Sequence, residues 1–229
     1  MAVSVIISGR LGNNLFNIAA AYAYSRDTDQ EFIMPEWKYI DSFPVLKKYC
    51  NPHNFDMTLY EKNYNYNKLP YRNNVLLSGY FQSEKYFIKY KDEIKKLLTP
   101  AVTADITGDT AVHVRRGDYI NSHHYCQLWE TDYYCLADYE GVVLVFSDDI
   151  AYCRTFFNLC NFTFIENPDE IYALAVMMLC RKHIIANSSF SWWGAWLSGS
   201  DDVTAPAQWF GERIKLNTKD LIPKRWRSL

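Results

Sequence analysis

The sequence has no apolar run long enough to cross a membrane. Its longest, Ile171–Cys180 (IYALAVMMLC), is about half of a helical span and reads as a buried helix. It has no excess of charge of either sign. With 24 Lys and Arg against 26 Asp and Glu, the net charge is -2 and the pI is near 6.2, where a general nucleic-acid binder would be basic. The opening MAVSVIISGR has neither a basic n-region nor a small-residue cleavage site, so it reads as a strand and not as a leader. The expected location is cytoplasmic, with at most peripheral contact with a membrane. The sequons at Asn161 and Asn187 then carry no meaning. None of the six cysteines (Cys50, Cys126, Cys135, Cys153, Cys160 and Cys180) forms a CxxC, and buried free thiols are expected. There is no GxxxxGK[ST] and no GxGxxG, which argues against a Walker-type nucleotide site and a dinucleotide oxidoreductase. No internal repeat is present.

What is there is a core. The 229 residues are 49% hydrophobic, with 18 Tyr, 13 Phe and 7 Trp, enough for one large domain or two small ones. Val3–Ser8 reads as a strand ending in GRLGNN. A helix over Asn14–Arg26 follows, with Leu15, Ile18, Ala19 and Tyr22 on one face. Glu31–Met34 fits a second strand. Tyr60–Asn74 reads as a long loop, functional or a floppy insertion. Glu84–Leu98 is predicted as one amphipathic helix with Phe87, Tyr90, Ile94, Leu97 and Leu98 inward, ended by Pro100. Thr99–Asp109 is the candidate junction between two halves. Beyond it strands are expected at Thr110–Val114, Val142–Phe146, Asn161–Ile165 and His183–Ala186. A helix opens at NPDE, with Asn167 as N-cap and Pro168 first, and runs to about Arg181. Strands alternating with helices indicate a parallel α/β sheet.

Polar residues gather just after these strands. Arg115, Arg116, Asp148 and Ser188 follow three strands of the second half, and Asn13 follows the first strand of the first half. Ligands of open α/β sheets bind beyond the carboxyl ends of the strands. Paired guanidinium groups suit a phosphate or diphosphate. Ser188 and Ser189 add hydroxyls and amides at a helix start. Gly9 and Gly12 let backbone approach a ligand closely, and Asn13 adds an uncharged donor and acceptor. Together they describe a diphosphate cradle.

In this order, GRLGNNLF, HVRRGDY, FSDD and NSSFSWWGAWL span Gly9 to Leu197 and resemble the family 11 glycosyltransferases, the α-1,2-fucosyltransferases, with bacterial and viral members most alike. The resemblance implies an α/β fold of two facing Rossmann-like halves (GT-B type), with residues 1–105 the acceptor side and 106–229 the donor side. It implies GDP-fucose as donor substrate, a galactose-containing glycan as acceptor, inversion at the fucose carbon, no cofactor or metal and no nucleic-acid partner. Carried over, Arg115 holds the β-phosphate, with Asp118 and Asn13 as the other catalytic candidates. Asn13 reaches the donor from the opposite half. His113 and Asp118 brace the loop; Ser188, Ser189 and Phe190 contact phosphate and nucleoside; and Arg116, Asp148 and Gly12 complete the donor set. Arg10 and Asn14 stand where the family pattern has Gly and Gln, and the chain is short for the family, a loss expected on the acceptor side.

Arginine aimed at the departing phosphate stabilises the transition state more than the ground state. A base is optional for an oxocarbenium-like reaction; Asp118 is the first candidate, with Glu130 and Asp149 behind it. Alternatives remain at this stage: a transferase for another nucleotide sugar, or a glycan-binding protein without catalysis. Arg116-Gly117-Asp118 is also an adhesion-type tripeptide. His123, His124, Cys126 and Cys135 could be a zinc set of unusual spacing. Ser147-Asp148-Asp149 fits a metal-holding pair or, preferably, a helix N-cap. Trp192, Trp193 and Trp196 are expected as core, with Trp193 facing elsewhere.

Overall fold

The structure, a computed structural model, describes residues 1–157 and 161–229. It divides into two compact units. The first comprises Met1–Ala101 with Asn217–Pro223, and the second comprises Val102–Leu216 with Lys224–Leu229. A single division between residues 105 and 106 therefore leaves out the late passage 217–223, which belongs to the first unit.

The first unit contains β1 (Ala2–Val5), α1 (Leu11–Asp27), β2 (Glu31–Phe32), β3 (Met57–Tyr60), β4 (Val75–Ser78) and α2 (Lys91–Leu98). Its sheet runs β2-β1-β4-β3 with every pair parallel. The helix α1 departs from the expected one-sided pattern. From Leu11 to Ser25 every residue but Asn13 is buried, because the sheet covers one side while α2 and the 61–74 loop cover others. Tyr22 Oη donates to Glu93 on α2 (2.6 Å), and Tyr24 Oη donates to Pro70 O (2.9 Å) and accepts from Arg72 N (2.8 Å). The long loop is thus tied down, and Tyr60 belongs to β3.

The predicted helix over 84–98 is broken. Two short 3-10 turns, Glu84–Tyr86 and Ile88–Tyr90, precede α2. Phe87 between them leaves helical geometry (φ -140, ψ -2), which carries its ring into the core against Phe16 at 6.1 Å. The apolar stripe still holds for Phe87, Ile94, Leu97 and Leu98, all buried. Tyr90 instead donates to Asp27 (2.7 Å).

The second unit contains β5 (Thr110–Val114), α3 (Tyr133–Leu136), β6 (Val143–Ser147), α4 (Ile150–Phe156), β7 (Phe162–Phe164), α5 (Glu170–Met177), β8 (Lys182–Ile184), α6 (Ser189–Ser198), β9 (Val203–Ala205) and β10 (Arg227–Ser228). Its six strands run β10-β9-β8-β5-β6-β7, all parallel. From β5 the chain winds outward through β6 and β7, then returns to the other side of β5 and winds out again. This is the doubly wound order, with its switch point between β5 and β8.

Alternation along the strands feeds two cores. Val112, Val114, Val143 and Val145 pack with Tyr133, Tyr134, Cys153 and Phe157. Ala111, Leu144 and Phe146 pack with Ile165, Val176, Met177 and Cys180. A strand buried on both faces needs apolar residues at every position, which explains the VLVF of Val143–Phe146.

The α5 helix begins later than expected. Asp169 is its N-cap, accepting from Ile171 N at 2.8 Å, while Asn167 accepts from Asp169 N in the preceding turn. Trp192, Trp193 and Trp196 are all core, each at most 1% exposed. Trp193 makes ring contacts with both of the others and does not face away. Cys153 and Cys180 are buried, Cys126 is half-buried, and Cys50 and Cys135 are exposed, against expectation; Cys160 lies outside the described residues. Burial pushes the Cys153 thiol up to about 11 and that of Cys180 to about 12, so both are unreactive near neutrality. Among the described residues no helix is long and apolar enough to cross a membrane.

Candidate active site at the strand ends

The switch point of the second unit brings together the residues that follow β5, β6 and β8. Asp148, the first residue after β6, organises the loop after β5. Its Oδ1 accepts from the amides of Arg116 (2.8 Å) and Gly117 (3.1 Å), and its Oδ2 pairs with Arg115 Nη1 at 2.9 Å. A Cβ at Gly117 would lie 2.6 Å from that Oδ2. Glycine is required there because the carboxylate lies against the backbone. RRGD and SDD, 32 residues apart at their key positions, are one constellation.

The two arginines diverge. Arg115 is paired with Asp118 and Asp148, and its guanidinium lies 5.4 Å over the Tyr119 ring. Tyr119 stacks on Tyr125 (3.8 Å, 2°) and donates to Asn187 O at 3.2 Å, one residue before the Ser188 cap of α6. Arg115 is thus linked to the start of that helix. Arg116 turns toward α4. It pairs with Asp149, sits 4.1 Å over Tyr152 and 5.7 Å over Trp129, and its Nε is buried without a hydrogen-bond partner. Asp149 also caps α4, accepting from Tyr152 N at 3.1 Å, so the N-cap reading of SDD describes Asp149 and the brace describes Asp148.

His113 ends up inside. Its Nδ1 lies 2.9 Å from Ser191 Oγ and its ring meets Phe190 edge-on at 5.6 Å. Burial, with the charge of Arg115 adding to it, drives its pKa down to about 3, so the imidazole is neutral at every ordinary pH. Phe190 packs against the Ala111–Leu144 core. Ser188 has extended backbone, and α6 starts with neither a side-chain cap bond nor an acidic residue in its first turn, an arrangement that attracts anions. Asn187 is buried (1% exposed) and donates to Cys126 O (2.9 Å) and Trp209 O (2.8 Å), which rules out its sequon. Among the described residues no three His, Cys, Asp or Glu side chains are grouped to hold a metal ion, so HHYC and Cys135 do not form a zinc set.

In the first unit, Gly12 and Asn13 open α1 after β1. Asn13 Oδ1 accepts from Gln82 Nε2 at 2.8 Å, and Gln82 Oε1 accepts from Tyr64 Oη. Asn17 ties the strand ends together, accepting from Ser8 N (3.1 Å) and donating to Gly79 O (2.8 Å). Asn14, the departure from the family pattern, donates to Ser8 O (2.8 Å) and accepts from Trp37 Nε1 (3.0 Å). Its shorter side chain therefore serves the interior. Sequence reasoning missed Glu61, whose carboxylate accepts from Tyr80 N at 2.7 Å and Phe81 N at 3.1 Å. Burial raises its pKa against the pull of these amides. The available signal was the glycine just past β4.

Comparison with known proteins gives the family. Residues 45–228 match the family described as Glycosyl transferase family 11. The chain is 29% identical to an alpha-1,2-colitosyltransferase of Escherichia coli, over 96% of each chain. It is 27% identical to the O-antigen biosynthesis glycosyltransferase WbnK of Escherichia coli, over 97% of this chain and 99% of the other. It is 24% identical to a putative galactoside 2-alpha-L-fucosyltransferase of Caenorhabditis elegans, over 97% and 77%. The first alignment extends over 284 positions although this chain has 229 residues, so that relative carries segments absent here. Among solved structures, NodZ alpha-1,6-fucosyltransferase soaked with GDP-fucose superposes with a TM-score of 0.52 at 11% identity, over 86% of this chain and 93% of that one. This likeness shows the fold, two Rossmann-like units of the GT-B type. The family match covers most of the chain, in both units, and the chain belongs to glycosyl transferase family 11.

Proposed function

We propose that this glycosyltransferase moves L-fucose from GDP-fucose to the 2-hydroxyl of a galactoside, with inversion. The observation that carries the reading is Arg115, held at the β5 end of the switch point and linked through Tyr119 to the start of α6. The donor diphosphate binds to the second unit between this guanidinium and the amides of α6. In the reaction the acceptor oxygen bonds to the anomeric carbon as the bond from that carbon to the β-phosphate oxygen breaks. The electron pair stays on GDP, where Arg115 meets the growing charge. The countercharge comes from Arg115 and the helix start, and no metal is required.

Asp118 is bonded to Arg115 and half exposed. An arriving phosphate competes for that guanidinium, which releases Asp118 to take the acceptor proton. Arg116 and Asp148 act as braces of the loop, as their partners indicate. Support for the donor comes from the family, from the putative galactoside 2-alpha-L-fucosyltransferase, and from a structural neighbour soaked with GDP-fucose. A second reading, colitosyl transfer, is favoured by the 29% identity to an alpha-1,2-colitosyltransferase.

Incubation with GDP-fucose and a panel of galactosides, read by mass, tests the reaction. The fucosyl adduct is expected; a product only with a colitosyl donor selects the second reading. Calorimetry is expected to show GDP bound in preference to UDP, and the reverse refutes the donor assignment.

A further inference from the structure

Asp118 and Asp148 hold Arg115 by its terminal N–H groups, the same groups that a diphosphate needs. Tyr119 holds it differently. The guanidinium lies 5.4 Å over that ring, and a contact with an aromatic face uses no N–H donor. It therefore persists when the N–H edge turns to a ligand. How firmly Arg115 is then aimed depends on how firmly Tyr119 is held.

Three contacts fix Tyr119. Tyr125 covers one face of its ring, with centroids 3.8 Å apart and planes 2° from parallel, which leaves the other face to the guanidinium. The phenol donates to Asn187 O at 3.2 Å. Burial raises its pKa, so the proton is present at every ordinary pH. Gln127 Nε2 donates to Tyr119 O at 3.2 Å.

Tyr125 is in turn fixed by the passage after β9. Its backbone bridges Phe210, with the two rings 6.0 Å apart, and Gly211 N donates to His124 O at 2.9 Å. A Cβ at Gly211 would lie 2.3 Å from His123 O, so only glycine permits this approach. The Asn187 amide joins both passages through Cys126 O and Trp209 O. β9 lies beside β8 and β8 beside β5, and a parallel sheet brings their carboxyl ends to one edge. A passage outside the site motifs thus reaches Arg115 through two stacked rings.

We propose that Tyr119 and Tyr125 are positioning residues of the donor site. They fix the guanidinium plane of Arg115 from its face and leave its N–H edge to the β-phosphate, while residues 209–211 hold Tyr125 for this task. The inference rests on the proposed function for the role of Arg115 and adds the residues that aim it. Acting through Arg115, they govern recognition of the second phosphate and not of the nucleoside monophosphate.

The test uses the full chain, with GDP and GMP affinities from calorimetry and steady-state kinetics with GDP-fucose and a galactoside. Tyr125→Leu removes the stack and Tyr125→Phe keeps it. Gly211→Ala displaces the loop without altering either ring, and it decides the matter if Tyr125→Leu does not fold. Tyr125→Leu and Gly211→Ala are each expected to lower the preference for GDP over GMP about tenfold, and kcat by a similar factor, with GMP affinity within about twofold of wild type. Tyr125→Phe is expected to match wild type in every readout. A wild-type GDP preference in folded Tyr125→Leu or Gly211→Ala overturns the inference. An equal fall in GDP and GMP affinity also overturns it, because the role is then merely structural. So does Tyr125→Phe behaving as Tyr125→Leu, which assigns the effect to the hydroxyl. Wild-type protein that does not distinguish GDP from GMP removes the role of Arg115 and the inference with it. Wild-type protein that transfers nothing from GDP-fucose strikes the proposed donor sugar instead, and the calorimetric preference still decides the inference.

Discussion

Replacing Gly117 by alanine tests the organisation of the donor loop with the smallest available change. The new methyl would lie 2.6 Å from Asp148 Oδ2 and 3.0 Å from Cγ, so the carboxylate must move. Asp148 then loses its bonds to the amides of Arg116 and Gly117 and its pairing with Arg115. A hydrogen bond to a charged group contributes roughly 1.5–3 kcal/mol. These amides are exposed, so water replaces much of the loss and the low end applies. Loop order should fall by about 2–3 kcal/mol in total. If half or more of this appears in binding, GDP affinity falls about 5- to 150-fold. Calorimetric titration reads the affinity, and urea unfolding confirms that the domain persists. A double-mutant cycle isolates the cause. Asp148→Ala should weaken GDP to a similar degree, and Gly117→Ala added to it should cost almost nothing more, a coupling of about 2 kcal/mol. Wild-type affinity in Gly117→Ala, or two effects that simply add, would refute the argument that this glycine exists to admit Asp148.

The remaining predictions separate neighbours that look alike in sequence. Arg115→Ala should lower kcat by about 10²–10³ with the fold intact, whereas Arg116→Ala should leave GDP affinity near wild type and destabilise unfolding by about 1–2 kcal/mol through lost contacts with Asp149 and Tyr152; steady-state kinetics and urea unfolding distinguish them. His113, with a folded pKa near 3, stays neutral while the unfolded imidazole protonates near 6.5. Its contribution is therefore fully present above that value and lost as pH falls below it. Between pH 7 and pH 5 this amounts to about 2 kcal/mol, and His113→Gln should show a correspondingly smaller loss in unfolding free energy over that interval. Asn187→Ala removes two bonds to buried carbonyls and should destabilise by about 2–4 kcal/mol in urea unfolding; a change under 1 kcal/mol would refute the clamp.

Much of the second unit was legible in the chain because its signals are local. Thr110–Val114 carries five buried residues in a row, and a strand covered on both faces has that appearance whatever packs on it. The motifs after the strands could be read as one ligand edge because a parallel sheet puts all of its carboxyl ends on one side. The first unit was less legible. β3 is half-exposed, and β3 and β4 have only four residues each, too short for periodicity to register; β9 and β10 of the second unit, at three and two residues, went unread for the same reason. The helix over 84–98 had the right stripe, yet the burial of Phe87 interrupted it. Local chemistry thus determined the residue types at the strand ends, the two paired arginines among them. Tertiary structure alone decided which of the two pairs with Asp148 and lies over Tyr119 and which packs on α4, because Asp148, Asp149 and Tyr152 arrive from another strand and helix. It alone also produced the clamp of Glu61 on Tyr80 and Phe81, since a carboxylate can choose its amides only after two strands have paired.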